Sequence, residues 1–291
     1  MGAKGFPVLA LSYPCSNEVF PEAHPELTIG EWGQAAAAVT ARVVAEQRLG
    51  NHVVLCAWSM GGRAVHPFTT AARGLGLEVD CFIAMAAAAP MLARGPFPDG
   101  VASLTAEGLW DCGAYGVSGE TLYRNFYRQA IDPEEGGGPI MTEQEYRRYY
   151  CGLHALGLRG ELQIFDGTSS VTSVDNYETA SGHGRWEEFP VCAAIAPTSR
   201  HDPNSLTNHV RWPLVTLEKL ARTISAAESA ADRWPEILRL AHQTPEILTR
   251  TVPGNHFFFL GRRGAHATAE AITELITATG DLWRRATGRS A

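Results

Sequence analysis

Apolar residues along this chain gather in short unbroken runs, set apart by alanine-rich or amphipathic stretches. The runs V-L-A-L at 8–11, H-V-V-L-C-A at 52–57, C-F-I-A-M at 81–85 and P-V-C-A-A-I at 190–195 are each of strand length, and I-L-T-R-T-V at 247–252, broken by Thr249-Arg250-Thr251, also reads as a strand. Continuous apolar runs bounded by turn residues suit strands covered on both faces. Between them the pattern turns helical. Thr28 and Glu31 have capping-box spacing, residues 32–48 are alanine-rich, and Gly50 marks a stop. Helices are also expected over 63–75, over much of 213–242 with Pro235 as a break or new start, and over 265–286. Strands alternating with helices at this spacing predict an α/β fold, a parallel sheet flanked by helices.

The alternation fails over residues 91–188, which hold Gly136-Gly137-Gly138, scattered aromatics and short helix-like pieces. This stretch reads as an insertion, with residues 1–90 and 189–291 forming the core. A second packing layer and a substrate cap both fit such an insertion. Segments inserted at strand ends often serve as lids, which favours the cap.

Composition narrows the function classes. The chain has 291 residues, 45% hydrophobic and 19% charged, enough for one large core with an inserted subdomain. A net charge of −7 argues against nucleic acid or an anionic membrane surface as partner. The opening M-G-A-K-G-F-P-V-L-A-L-S is too short for a signal peptide, and no apolar run reaches membrane-spanning length. Six cysteines (Cys15, Cys56, Cys81, Cys112, Cys151, Cys192) include no C-x-x-C pair. A reduced, cytoplasmic protein is expected, with Cys56, Cys81 and Cys192 acting as small hydrophobes in strands. Neither H-E-x-x-H nor clustered carboxylates occur, so no metal and no cofactor is expected.

The candidate chemistry lies where strands end. In A-W-S-M-G-G at 57–62 an apolar run stops at Ser59 and the chain thins to two glycines. A serine on a sharp strand-to-helix turn projects its hydroxyl from the carboxyl edge of the sheet. The turn needs small neighbours, and the amide after the serine faces the same reacting atom. A plain turn serine has the same local sequence, so the motif needs company. Serine is a weak nucleophile and requires a base. His256 follows a strand through Pro253-Gly254-Asn255. The base in turn requires an acid, and Asp202 lies in the loop after the preceding strand. Three separate strand ends thus supply nucleophile, acid and base in the order Ser59, Asp202, His256. His201 competes as a base but reads better as a loop histidine. His24 and His209 lie in no motif, Asp166 and Asp175 read as solvated charges, and Arg262-Arg263 reads as a loop pair. Trp58 and Met60, which flank the serine, are candidates for walling an apolar acyl site or for the core.

In A-W-S-M-G-G, in P-V-C-A-A-I-A-P-T-S-R-H-D at 190–202 and in P-G-N-H-F-F-F-L at 253–260, the chain resembles the α/β-hydrolase superfamily. Around His256 it is also similar to the editing thioesterases of polyketide and peptide assembly lines. The resemblance implies an α/β-hydrolase-like sheet, Ser59 as nucleophile, His256 as base, Asp202 as acid and the Met60 amide as an oxyanion donor. It departs from the family at the start. Residues 8–11 stand where the fourth of the usual eight strands would be, so the strands expected before them are missing. A loop among those strands normally donates a second oxyanion amide. Three explanations are open: a shortened form, a second copy or partner chain covering the exposed edge, or replacement donors such as the Tyr13 hydroxyl and the Cys15 or Ser16 amide. One missing donor costs about 3–4 kcal/mol of transition-state stabilisation.

The expected activity is hydrolysis of a small-molecule ester or thioester. Acyl transfer or cyclisation on the same scaffold, and a non-catalytic binding or partner subunit, are the alternatives.

Overall fold

The computed structural model describes residues 1–11, 28–90, 101–102, 142, 144, 163–165, 170–172, 182–199, 202–225 and 230–288. Its centre is a four-stranded sheet. The strands are β1 (His52–Trp58), β2 (Glu78–Met85), β6 (Val191–Pro197) and β7 (Thr249–Val252), in that spatial order and all parallel. Side chains along β2 and β6 alternate between two apolar layers. Cys81, Ile83, Ala193 and Ile195 face one layer, while Phe82, Ala84, Cys192 and Ala194 face the other. Both layers are buried, which explains why β6 is apolar throughout and reads as a continuous run rather than an alternating one.

Helices complete the layers. α1 (Ile29–Glu46) starts at the expected capping box: the Thr28 side chain accepts the Glu31 amide, and the Glu31 carboxylate accepts the Thr28 amide. It packs with α2 (Val65–Gly74) around Ala37, Phe68 and Ala72. Gly33 makes this contact possible, because a Cβ there would lie 2.9 Å from the Ala64 carbonyl oxygen. The opposite layer is built by α3 (Pro203–Ser225), α4 (Ala230–Ile247) and α5 (Gly261–Thr287) through Leu220, Ile224, Leu240 and Leu275.

Three expectations are corrected. Residues 8–11 form no strand; Val8, Leu9 and Leu11 are 66%, 42% and 40% exposed. Four apolar residues hold a strand conformation only where a neighbouring strand answers their amides and carbonyls, and β1 pairs only with β2 among the described residues. The helix expected from 213 starts ten residues sooner, at Pro203, and Pro213, Pro235 and Pro245 all lie inside helices. Packing of these helices into the core, through Leu220, Ile224, Ile237 and Leu240, outweighs the local cost of the prolines. α4 also runs to Ile247, so β7 is only four residues long.

Within the stretch 91–188, β3 (Val101–Ala102), β4 (Gln163–Phe165) and β5 (Ser170–Thr172) form a separate antiparallel sheet in the order β3-β5-β4. Trp186, near the end of that stretch, belongs to the core: it is buried beside Phe189, whose ring neighbours Trp212. His66 of α2 bonds Glu188 at 2.7 Å and ties this segment to the helix that follows the Ser59 turn. No helix among the described residues is long and apolar enough to cross a membrane.

Candidate active site

Parallel strands point their carboxyl ends the same way, so the residues after β1, β6 and β7 share one rim of the sheet. Ser59 follows β1 directly and opens a 3-10 turn, Ser59–Ala64. Its φ is +52°, a left-handed conformation that costs a non-glycine residue about 1–2 kcal/mol. Such strain collects where a side chain must be aimed. The turn is held from the next strand's loop, where the Ala88 amide donates to the Ser59 carbonyl at 2.8 Å. Gly62 is required at this crossing, since a Cβ there would sit 2.3 Å from the Ala88 carbonyl oxygen. Gly61 is less constrained, its nearest contact being the Ala57 Cβ at 3.2 Å.

His256 is buried in the turn after β7, and its Nε2 lies 3.0 Å from Ser59 Oγ. Its Nδ1 lies 2.6 Å from Asp202 Oδ2. With Nδ1 protonated, the imidazole donates to the carboxylate and accepts the serine hydroxyl proton. The loop is shaped locally: the Asn255 side chain accepts the Phe257 amide at 2.9 Å, and Gly254 has φ +130°. It is also tied to the acid's loop, where the Ser199 amide donates to the Gly254 carbonyl at 2.9 Å.

Asp202 stands just before α3 and acts as its N-cap. Oδ1 accepts the Ser205 amide at 3.2 Å, and Oδ2 accepts the Ser205 hydroxyl at 2.5 Å as well as the imidazole. Burial by itself would raise the carboxyl's pKa. The hydrogen bond and charge of His256, joined by the two bonds from Ser205, outweigh it and hold Asp202 below the ordinary carboxylate value. The amino end of a 23-residue helix favours the same anionic form.

The structure therefore brings Ser59, His256 and Asp202 into one hydrogen-bonded chain. Met60, half-buried, follows the serine in the first turn of the 3-10 segment, where backbone amides lack partners from the turn itself. Trp58, also half-buried, places its indole against His256, Phe257 and Phe259. Tyr13, Cys15, Ser16, His24, Asp166, Asp175 and His201 lie outside the described residues. His209 turns back on its own helix and bonds the Ser205 carbonyl at 2.8 Å. Arg262 and Arg263 are exposed on the first turn of α5.

Sequence reasoning missed Ser205. Its signal was present: Asp202-Pro203 is a favoured pairing of N-cap and first helical residue, and the residue three beyond a cap is the one it bonds. Among the described residues no group of three or more His, Cys, Asp or Glu side chains forms a metal site. Compared with protein-family models, with curated proteins and with solved structures, the chain matches none.

Proposed function

We propose that this protein is a serine hydrolase of α/β-hydrolase type, an esterase or thioesterase acting on a small molecule with a mainly apolar acyl part. The observation behind this reading is the unbroken chain from Ser59 Oγ through the imidazole of His256 to Asp202. Such a chain is costly to assemble by chance, because His256 and Asp202 must be desolvated and all three side chains must be aimed. Ser59 stays partly exposed while the other two are buried, as a nucleophile that must meet substrate requires.

In the proposed reaction His256 takes the hydroxyl proton as Ser59 Oγ attacks the acyl carbonyl carbon. Asp202 keeps Nδ1 protonated and stabilises the resulting imidazolium. The Met60 amide faces the developing oxyanion. The tetrahedral intermediate collapses as the imidazolium hands its proton to the leaving alcohol or thiol, giving an acyl-enzyme. Water, deprotonated by the same imidazole, then attacks the acyl carbon; the bond to Ser59 Oγ breaks, Oγ takes the proton back from the imidazolium, and the acyl group leaves as a carboxylic acid. No cofactor enters this sequence. The stretch 91–188, short of the Trp186 segment that joins the core, is the proposed cap, and the half-buried Trp58 and Met60 offer apolar surface beside the nucleophile.

A fluorophosphonate probe tests the reading directly. Covalent labelling located at Ser59 by peptide mass spectrometry, and lost in Ser59→Ala, is the expected result. Folded protein that remains unlabelled at every pH between 6 and 9 would overturn it in favour of a non-catalytic binding role. Where Ser59 does label, mass spectrometry of an acyl adduct trapped from cell extract reports the acyl group.

A further inference from the structure

Ser59 and His256 are delivered from opposite edges of the four-stranded sheet. The order is β1-β2-β6-β7, so two strands separate the one that ends at Trp58 from the one that ends at Val252. At a spacing of about 4.8 Å between neighbours, the outer strands lie about 14 Å apart. The turn after β7 must therefore reach back over the sheet's rim to bring its imidazole within 3.0 Å of Ser59 Oγ. Its first anchor is over β6, where Ser199 bonds Gly254. Its far anchor is over β1: the Trp58 indole Nε1–H donates to the His256 backbone carbonyl at 2.9 Å. The same indole lies 5.1 Å from the imidazole centroid, tilted by 45°, and is flanked by Phe257 and Phe259 at 5.2 and 5.4 Å.

Resting on the serine-hydrolase reading, we propose that Trp58 is a positioning residue that fixes the base against the nucleophile. The residue before the serine grips the backbone of the histidine, so one side chain sets the Ser59–His256 separation from both ends. The ring contact limits tilting of the imidazole, and the indole N–H stops the loop from withdrawing toward β7. A lost hydrogen bond of this kind leaves the fold in place but lets the imidazole sample positions out of reach of Oγ.

The test replaces Trp58 with 3-benzothienylalanine, which keeps the bicyclic shape and substitutes sulfur for N–H. Two readouts are taken: the rate constant of fluorophosphonate labelling at Ser59, and the low-field NMR resonance of the His256 Nδ1 proton. The expected result is labelling about three- to tenfold slower, faster exchange or broadening of that proton, and an unchanged thermal midpoint. A purely structural role would lower the midpoint or the labelled fraction without slowing the folded fraction. Should the isostere fold poorly, Trp58→Phe is carried through the same readouts. Labelling as fast as wild type with an unaltered proton resonance would overturn the positioning role. Wild-type protein that does not label at Ser59 refutes the hydrolase reading instead, and the proton resonance then decides the positioning role by itself.

Discussion

Replacing Asp202 by asparagine leaves the side chain's shape nearly unchanged and cannot satisfy its surroundings in either orientation. Oδ2 accepts two donors, the His256 Nδ1–H at 2.6 Å and the Ser205 hydroxyl at 2.5 Å, while Oδ1 accepts the Ser205 amide at 3.2 Å. If the amide nitrogen takes the Oδ2 position, it donates to Nδ1, the imidazole proton moves to Nε2, and the ring no longer accepts from Ser59. If it takes the Oδ1 position, two N–H groups face each other at the start of α3. The first arrangement keeps the helix cap, and the clash in the second disfavours it by about the worth of a cap, roughly 1 kcal/mol. That preference alone leaves about one molecule in six with the active tautomer; the larger loss follows from the missing carboxylate charge, which no longer stabilises the imidazolium. In serine proteases the corresponding change slows turnover by about 10⁴. The expected outcome here is a fluorophosphonate labelling rate at Ser59 that falls by about 10³- to 10⁴-fold, equivalent to about 4–5.5 kcal/mol of barrier. Labelling is measured by stopped aliquots and intact-mass spectrometry, with circular dichroism confirming the fold. A decrease of less than tenfold in folded protein would show that the carboxylate does not stabilise the imidazolium and would refute the relay.

Gly62→Ala should destabilise the protein by about 1–3 kcal/mol, because the new Cβ meets a backbone oxygen that cannot rotate away. The same displacement disturbs the Ala88–Ser59 bond, so probe labelling should slow as well; thermal melts unchanged from wild type would contradict the packing argument. The acid limb of stability has a defined sign. Asp202's folded pKa is depressed, so its contribution is present above its unfolded value, about 3.9, and is lost as pH falls through the lower folded value. Ser205→Ala removes one of the bonds that lower that pKa and should move the acid midpoint of denaturation upward, measured by fluorescence between pH 2 and 5; a downward move would reverse the assignment. Burial pushes the Cys81 thiol up to about 11, so native protein treated with iodoacetamide at pH 8 should leave Cys81 unmodified by peptide mapping.

The amino-acid sequence by itself determined the class of fold and the identity of the chemical groups. A parallel strand buried on both faces must be apolar along its length, so the runs that became β6 and the second half of β2 are visible without a structure; β1, partly buried, has a similar apolar run, and the carboxyl ends of β1 and β6 pick out Ser59 and Asp202. The T-x-x-E signal at Thr28 also acts within one turn of chain, and it was legible for that reason. What only the tertiary structure decided depends on contacts between distant residues. No local pattern reveals that β1 and β7 are the outer strands, that the His256 turn crosses the rim between them, or that Trp58 grips its carbonyl. Likewise, residues 8–11 have strand composition, yet a strand exists only where another backbone answers its hydrogen bonds. The prolines at 213, 235 and 245 sit inside helices for the converse reason: packing of those helices through Leu220, Ile224, Ile237 and Leu240 into the core supplies more than the local propensity takes away. Side-chain chemistry is written residue by residue, whereas the distances between those side chains are fixed by packing across the whole sheet.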